Sequence, residues 1–190
     1  MHRLETVLFS NGERFPLLVN VKTGIPDFYS TLWVTVELRN QSAVNTIRNK
    51  LGTIQWIMNW EKQNNIVISD LIHNKALLTE SQLESLIQHM RINVKKQKNV
   101  INTKKSVLMK GRTQFIDIYS SVSLSHQYNR LTTLSEYILF LSKVINVSNE
   151  YIEKLTKLIN LIKESRPKNH KTLSIKPESE LPDGLLDEFM

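Results

Sequence analysis

Residues 123–145, SLSHQYNRLTTLSEYILFLSKVI, decide the fold, because the two halves of this stretch differ in chemistry. The second half repeats apolar residues at helical spacing, at Leu131, Leu134, Ile138, Leu141 and Ile145. This spacing places them on one face of a helix, which predicts a helix packed on a hydrophobic core. We therefore expect the rest of the chain to be arranged around this helix.

The first turns of the same stretch are polar. They carry hydroxyl, imidazole, amide and guanidinium groups, at Ser123, Ser125, His126, Asn129, Arg130 and Thr133. Such groups read base edges and phosphates in a DNA groove. A helix that is polar at its N-terminal half and anchored at its C-terminal half is built like a recognition helix. The alternative interpretation is a capped surface helix with a solvated first turn.

A second helix with a polar start is predicted from Ser42, as its N-terminal cap, to about Asn64. Apolar residues at alternating three- and four-residue spacing form its buried stripe. Its first turns expose Asn45, Thr46, Arg48, Asn49 and Lys50. Trp56 and Trp60 are four residues apart, and we expect them to pack in the core rather than to stack on bases.

The remaining predicted elements are a β-hairpin and further helices. Asn11-Gly12 between two apolar runs predicts a hairpin over 6–19, since both residues tolerate positive φ. Capping residues and apolar spacing predict helices at 28–39, near 69–70, at 79–91 and at 149–165. Residues 28–39 are rich in β-branched side chains, so a strand is the alternative there. The predicted fold class is mainly α, a helical bundle with an N-terminal β-hairpin.

Length and composition limit the class of protein. A chain of 190 residues is enough for one ordinary domain and a small appendage. Cysteine is absent, which excludes disulfides and thiolate metal sites. The sequence has neither an apolar run of membrane-spanning length nor a signal-peptide pattern. We therefore expect a cytoplasmic protein with no membrane partner.

The basic residues are concentrated in one stretch. The formal net charge is +7, and eight basic residues with no Asp or Glu lie at Arg91, Lys95, Lys96, Lys98, Lys104, Lys105, Lys110 and Arg112. Without these eight, 17 basic residues face 18 acidic ones. The block is a candidate footprint for a polyanion, and the alternative interpretation is a solvated loop.

The usual enzyme signatures are missing from the sequence. It has no Gly-rich phosphate loop, no Gly-x-Ser-x-Gly and no His-Glu-x-x-His, and no pair of its five histidines has the close spacing of metal ligands. We therefore predict no catalytic residue, no metal site and no cofactor in this chain.

Five segments together resemble a known family. They are 13–19 (ERFPLLV), 24–29 (GIPxFY), 38–47 (LRxxSxxxTI), 129–131 (NRL) and 137–141 (YILFL). They are similar to the N-terminal half of phage-integrase-type tyrosine recombinases. That half is a helical core-binding domain, also called SAM-like, with a variable N-terminal piece before it and a linker to a catalytic domain after it.

The resemblance implies a division of the chain and a set of partners. Residues 1–26 would be the N-terminal hairpin and turn, 27–166 the core-binding domain, and 167–190 a linker and the start of a missing catalytic domain. The partners would be double-stranded DNA and other protomers that self-associate on it. None of the family's catalytic residues can be placed here, so we expect a DNA-binding half without activity. The Lys- and Asn-rich stretch 91–112 departs from the family's pattern.

Specific DNA contacts follow from side-chain chemistry. Arg48 and Arg130 suit guanine or phosphate, and Asn45 and Asn129 suit adenine. The remaining candidates are Ser42, Ser123, Ser125 and Thr133 for backbone oxygens, with Thr46, Asn49, His126, Lys95, Lys96, Lys98, Lys104 and Lys105. The alternative is a helical protein-interaction or scaffolding module in which the lysines only confer solubility.

Overall fold

A computed structural model describes residues 1–92, 121–145 and 148–168. These residues are mainly helical and begin with a two-stranded antiparallel hairpin, as predicted. The elements are β1 (His2–Leu8), β2 (Arg14–Asn20), α1 (Phe28–Trp33), a π-helical turn (Val34–Leu38), α2 (Val44–Asn64), α3 (Ile68–His73), α4 (Glu80–Arg91), α5 (Leu124–Val144) and α6 (Asn149–Glu164). The predicted basic block beyond Ile92 and the predicted linker beyond Lys168 lie outside the described residues.

The predicted hairpin forms and packs against α2, but residues 9–13 make a wider loop than a two-residue turn, and Asn11 is not at positive φ. Gly12 has a φ of 83°, and the Asn11 side chain accepts a hydrogen bond from the Glu13 backbone at 3.0 Å. Gln55 on α2 donates to the carbonyl of His2 at 2.6 Å. This support is needed because an isolated two-stranded ribbon is barely stable.

Most helix starts follow the predicted capping residues, but Ser148, at the cap position of α6, makes no side-chain hydrogen bond, and the prediction for α2 was wrong. Thr79 opens α4 with a complete capping box, and Ser123 caps α5 by accepting from the His126 backbone N–H. Ser42 was predicted to cap α2, but it does not. The cap position is Ala43, which gives no side-chain hydrogen bond, and the N–H of Ser42 donates to the preceding helical turn instead.

Residues 28–39 are helical, as predicted from the Asp27 cap. The Asp27 carboxylate accepts from the Ser30 N–H at 2.9 Å and starts α1. The chain then widens into the π-helical turn, which closes with a hydrogen bond from the Arg39 N–H to the Val34 carbonyl at 2.8 Å.

The core surrounds much of α5, because Tyr137 and Phe140 are also buried, against Trp33, in addition to the predicted face. Four of the five predicted inward residues are buried, and Ile145 is only partly buried at the end of the helix. From α2, Leu51 and Ile54 pack into the same core, and Trp60 is buried as predicted. Among the described residues, no helix is both long enough and apolar enough to cross a membrane.

Replacing Leu134 tests which face of α5 is buried. The side chain of Leu134 is 0% exposed, so Leu134→Ala should lower the free energy of unfolding by about 2–5 kcal/mol through lost burial and a residual cavity. Leu139, on the same helix, is 38% exposed, and Leu139→Ala should change it by less than about 0.5 kcal/mol. Urea denaturation measures both values, and equal losses would contradict the assigned face.

Candidate functional site

Residues 46–53 of α2 and 126–136 of α5 line one open cavity of about 620 Å³, here called the polar groove. Its wall consists of Leu4, Thr46, Arg48, Asn49, Lys50, Gly52, Thr53, His126, Asn129, Arg130, Thr132, Thr133 and Glu136. Hydroxyl, amide, imidazole and guanidinium groups of two helices thus face one space. Three side chains that are cationic at neutral pH and one carboxylate border it.

The structure brings together seven of the side chains predicted from sequence. Those in the groove wall are Thr46, Arg48, Asn49, His126, Asn129, Arg130 and Thr133. Four others, Ser42, Asn45, Ser123 and Ser125, lie before or at the helix starts and are not in its wall. The predicted lysines at 95, 96, 98, 104 and 105 lie outside the described residues.

On the α2 side, the hairpin helps to position the groups. Arg48 and Asn49 are exposed, and an Nη of Arg48 donates to the Thr6 hydroxyl of β1 at 2.9 Å. Leu4 of the same strand closes that edge of the groove. The hydrogen bond to Thr6 therefore holds the guanidinium of Arg48 at the rim of the groove, and the residue as a whole remains exposed.

An ion pair spans the groove between its two helices. The Lys50 ammonium of α2 lies 2.6 Å from the Glu136 carboxylate of α5 and 5.4 Å from the centre of the Trp33 ring. Both partners are partly exposed, so the pair contributes little to stability. It does limit the charge that Lys50 can offer to a ligand.

On the α5 side, the polar side chains divide into exposed and buried sets. His126 and Asn129 are exposed, and their side chains form no hydrogen bond with another described side chain. Thr133 is only 5% exposed, at the bottom of the groove. His126 and Asn129 are therefore the α5 side chains that a ligand reaches first.

Arg130 has a structural role that sequence reasoning missed. Its guanidinium is partly buried, donates to the carbonyls of Met90 and Ile92 at 3.0 Å each, and lies 5.5 Å from the centre of the Trp56 ring. Burial also lowers the pKa of Arg130. The guanidinium therefore joins the start of α5 to the end of α4. Every residue has a backbone carbonyl, so the sequence does not show which carbonyls Arg130 contacts, and no local pattern indicated this role.

Trp56 packs within the protein rather than standing free for a base. Its indole N–H donates to the His89 carbonyl at 2.8 Å, and the two rings stack with centroids 4.4 Å apart. Burial lowers the pKa of His89, which favours a neutral ring at pH 7. A neutral His89 avoids like-charge repulsion with nearby Arg130.

The described residues on either side of the basic stretch pair with each other beside the groove. Ile92 and Ser121 form an isolated antiparallel bridge, and the Val122 N–H donates to the Arg91 carbonyl at 2.9 Å. Arg130 holds the Ile92 carbonyl at the same place. Both attachment points of the chain between 92 and 121 are thus fixed next to the first turn of α5.

Comparisons of this chain with protein-family models, with curated proteins and with solved structures found no significant match. Within residues 1–92, 121–145 and 148–168, no group of three or more His, Asp or Glu side chains could hold a metal ion. A proposal for the function therefore has to rest on the side chains of the polar groove.

Replacing Arg130 tests its role as a clamp between helices. Arg130→Lys keeps the charge but loses the planar group that meets two carbonyls and the Trp56 ring. We expect the free energy of unfolding to fall by about 1–3 kcal/mol. The matched control is Arg48→Lys at the exposed rim, with an expected change below about 0.5 kcal/mol. Denaturant titration gives both values, and a stability of Arg130→Lys equal to wild type would contradict the clamp.

Proposed function

We propose that this chain is the DNA-binding module of a site-specific tyrosine recombinase. In this proposal it is a SAM-like core-binding domain that grips duplex DNA, and a catalytic domain performs integration and recombination. The module itself is not a catalyst. The observation that supports the proposal best is the polar groove, in which the first turns of α2 and α5 present base-reading side chains side by side.

The exposed side chains of the groove match the chemistry of a duplex. Asn49 and Asn129 carry amides that pair with adenine edges, and Arg48 carries a guanidinium that suits guanine or phosphate. His126 adds a further donor at the α5 rim. The N-terminal N–H groups of both helices would attract phosphates of the same duplex that lie beyond the groove, at the helix starts.

The charge distribution favours a polyanion. Seven basic residues and no acidic residue lie between 93 and 112 in the sequence, and the described residues Ile92 and Ser121, which flank the undescribed part, pair beside the groove. In this proposal, the lysines of that stretch supply attraction to the phosphates without reading sequence.

Recombination also needs several protomers on one DNA site. We propose that copies of this chain associate on the duplex, as the resemblance to tyrosine recombinases implies. The duplex would serve as the common template, so association should require DNA of sufficient length.

The salt dependence of binding tests the electrostatic part of the proposal. If about six basic side chains neutralise phosphates, the logarithm of the association constant should fall against the logarithm of salt concentration with a slope near roughly −5. Fluorescence anisotropy of a labelled duplex at several salt concentrations measures it. A flat response would remove DNA binding and favour the protein-interaction alternative.

Placing a negative charge in the groove tests its location. Asn49→Asp adds a carboxylate to the wall of the groove, and we expect affinity for a duplex to fall roughly tenfold, about 1.4 kcal/mol. Gln63→Glu is the matched control, because Gln63 is exposed on the same helix and lies roughly 21 Å farther along its axis. The same anisotropy titration compares them, and equal weakening by both variants would contradict binding in the groove.

A further inference from the structure

The three cationic side chains that border the polar groove differ in what holds them. Arg130 donates to two backbone carbonyls, and Arg48 donates to the neutral hydroxyl of Thr6. Lys50 is the cation of the groove wall that pairs with a carboxylate, that of Glu136 at 2.6 Å. The charge of Lys50 is therefore neutralised within the surface that the proposed function assigns to a polyanion.

The two partners of this ion pair are hydrated to different degrees. The side chain of Lys50 is 21% exposed, and its ammonium lies 5.4 Å from the centre of the buried Trp33 ring. The side chain of Glu136 is 44% exposed. The Trp33 ring attracts the ammonium and keeps it at the groove wall. Because Glu136 is the more hydrated partner, its carboxylate can turn to water while Lys50 stays on the ring.

The Lys50 ammonium can accept a different anionic partner. It has three N–H donors, and the described residues engage one of them, in the hydrogen bond to an Oε of Glu136. A lysine ammonium is a compact charge on a flexible stem, so it does not demand one fixed geometry of its acceptor. A phosphate oxygen forms the same kind of charge-assisted hydrogen bond as a carboxylate oxygen. The two anions therefore compete for one cation.

We propose that Glu136 is an internal counter-ion that a DNA phosphate displaces. On binding, the Lys50 ammonium exchanges the Glu136 carboxylate for a phosphate oxygen, and the carboxylate turns to water. This inference rests on the proposed DNA binding and adds a regulation to the same groove.

The ion pair is then an autoinhibitory contact, because it has to break before Lys50 contributes to binding. A polyanion that brings no phosphate to Lys50 gains nothing from that charge and still meets the repulsion of the Glu136 carboxylate. The pair therefore favours a duplex seated in the groove over a polyanion held loosely at the surface.

A double-mutant cycle on the full chain tests the exchange, with a fluorescently labelled duplex at low salt. Glu136→Gln removes the competing carboxylate and should tighten binding roughly threefold. Lys50→Met removes the ammonium, keeps an unbranched stem on the Trp33 ring and should weaken binding roughly threefold or more. Added to Lys50→Met, the change Glu136→Gln should tighten binding by less than about 1.5-fold, because no ion pair remains to be broken.

Glu150→Gln is the matched control. Glu150 forms an exposed ion pair with Lys154 on α6, outside the groove wall, and its loss changes the net charge equally. This variant should change affinity by less than about 1.5-fold.

The outcomes separate this inference from the proposed function. No gain from Glu136→Gln, or an equal gain with and without Lys50, would overturn the exchange while duplex binding by the wild type still supports the proposed function. Absence of duplex binding by the wild type and by every variant would overturn both.

Discussion

The packing of α2 against α5 is the constraint on which the rest of the structure depends. Leu51 and Ile54 of α2 and Leu131 and Leu134 of α5 are all fully buried in one core. Each helix is apolar along one face and polar at its start, so this packing brings two polar starts to one groove. The Lys50–Glu136 pair marks where the two helices meet at that surface. Burial of hydrophobic area thus determines where the hydrogen-bonding groups lie.

The polar residues of the groove perform two different tasks. Arg130 satisfies the carbonyls at the end of α4, and Thr133 is buried, so both belong to the scaffold. Arg48, Asn49 and Asn129 remain exposed, and in the proposed function they form the surface that meets DNA. A rigid scaffold below adaptable polar groups is what a binding site requires, because groups that are positioned in advance lose less entropy on binding.

Local sequence signals predicted most of the secondary structure, and long-range contacts account for what was missed. The Asn-Gly turn, the Thr79 capping box and the apolar spacing of α5 depend on neighbouring residues, so they were readable. The predicted cap of α2 was wrong, because the helix begins one residue later and the cap position is Ala43, whose side chain cannot accept a hydrogen bond. The task of Arg130 depends on carbonyls about forty positions away in the chain.

A small cavity around Glu61, between α1, α2, α3 and α5, shows the same limit. Glu61 stands beside Trp60 on the apolar stripe of α2, which was the available signal that a carboxylate would be partly buried. Its neighbours Asp27 and Tyr137 come from distant parts of the chain, and only tertiary packing places them together. Periodicity can thus identify an unusual residue without identifying its partners.

Mapping of backbone amide NMR shifts on addition of a short DNA duplex at low salt tests the central claim most directly. The claim is that the first turns of α2 and α5 form one DNA-binding surface. The account predicts that the largest perturbations fall in residues 45–50 and 125–130. Perturbations confined to α3 and α6, or none at all, would contradict it.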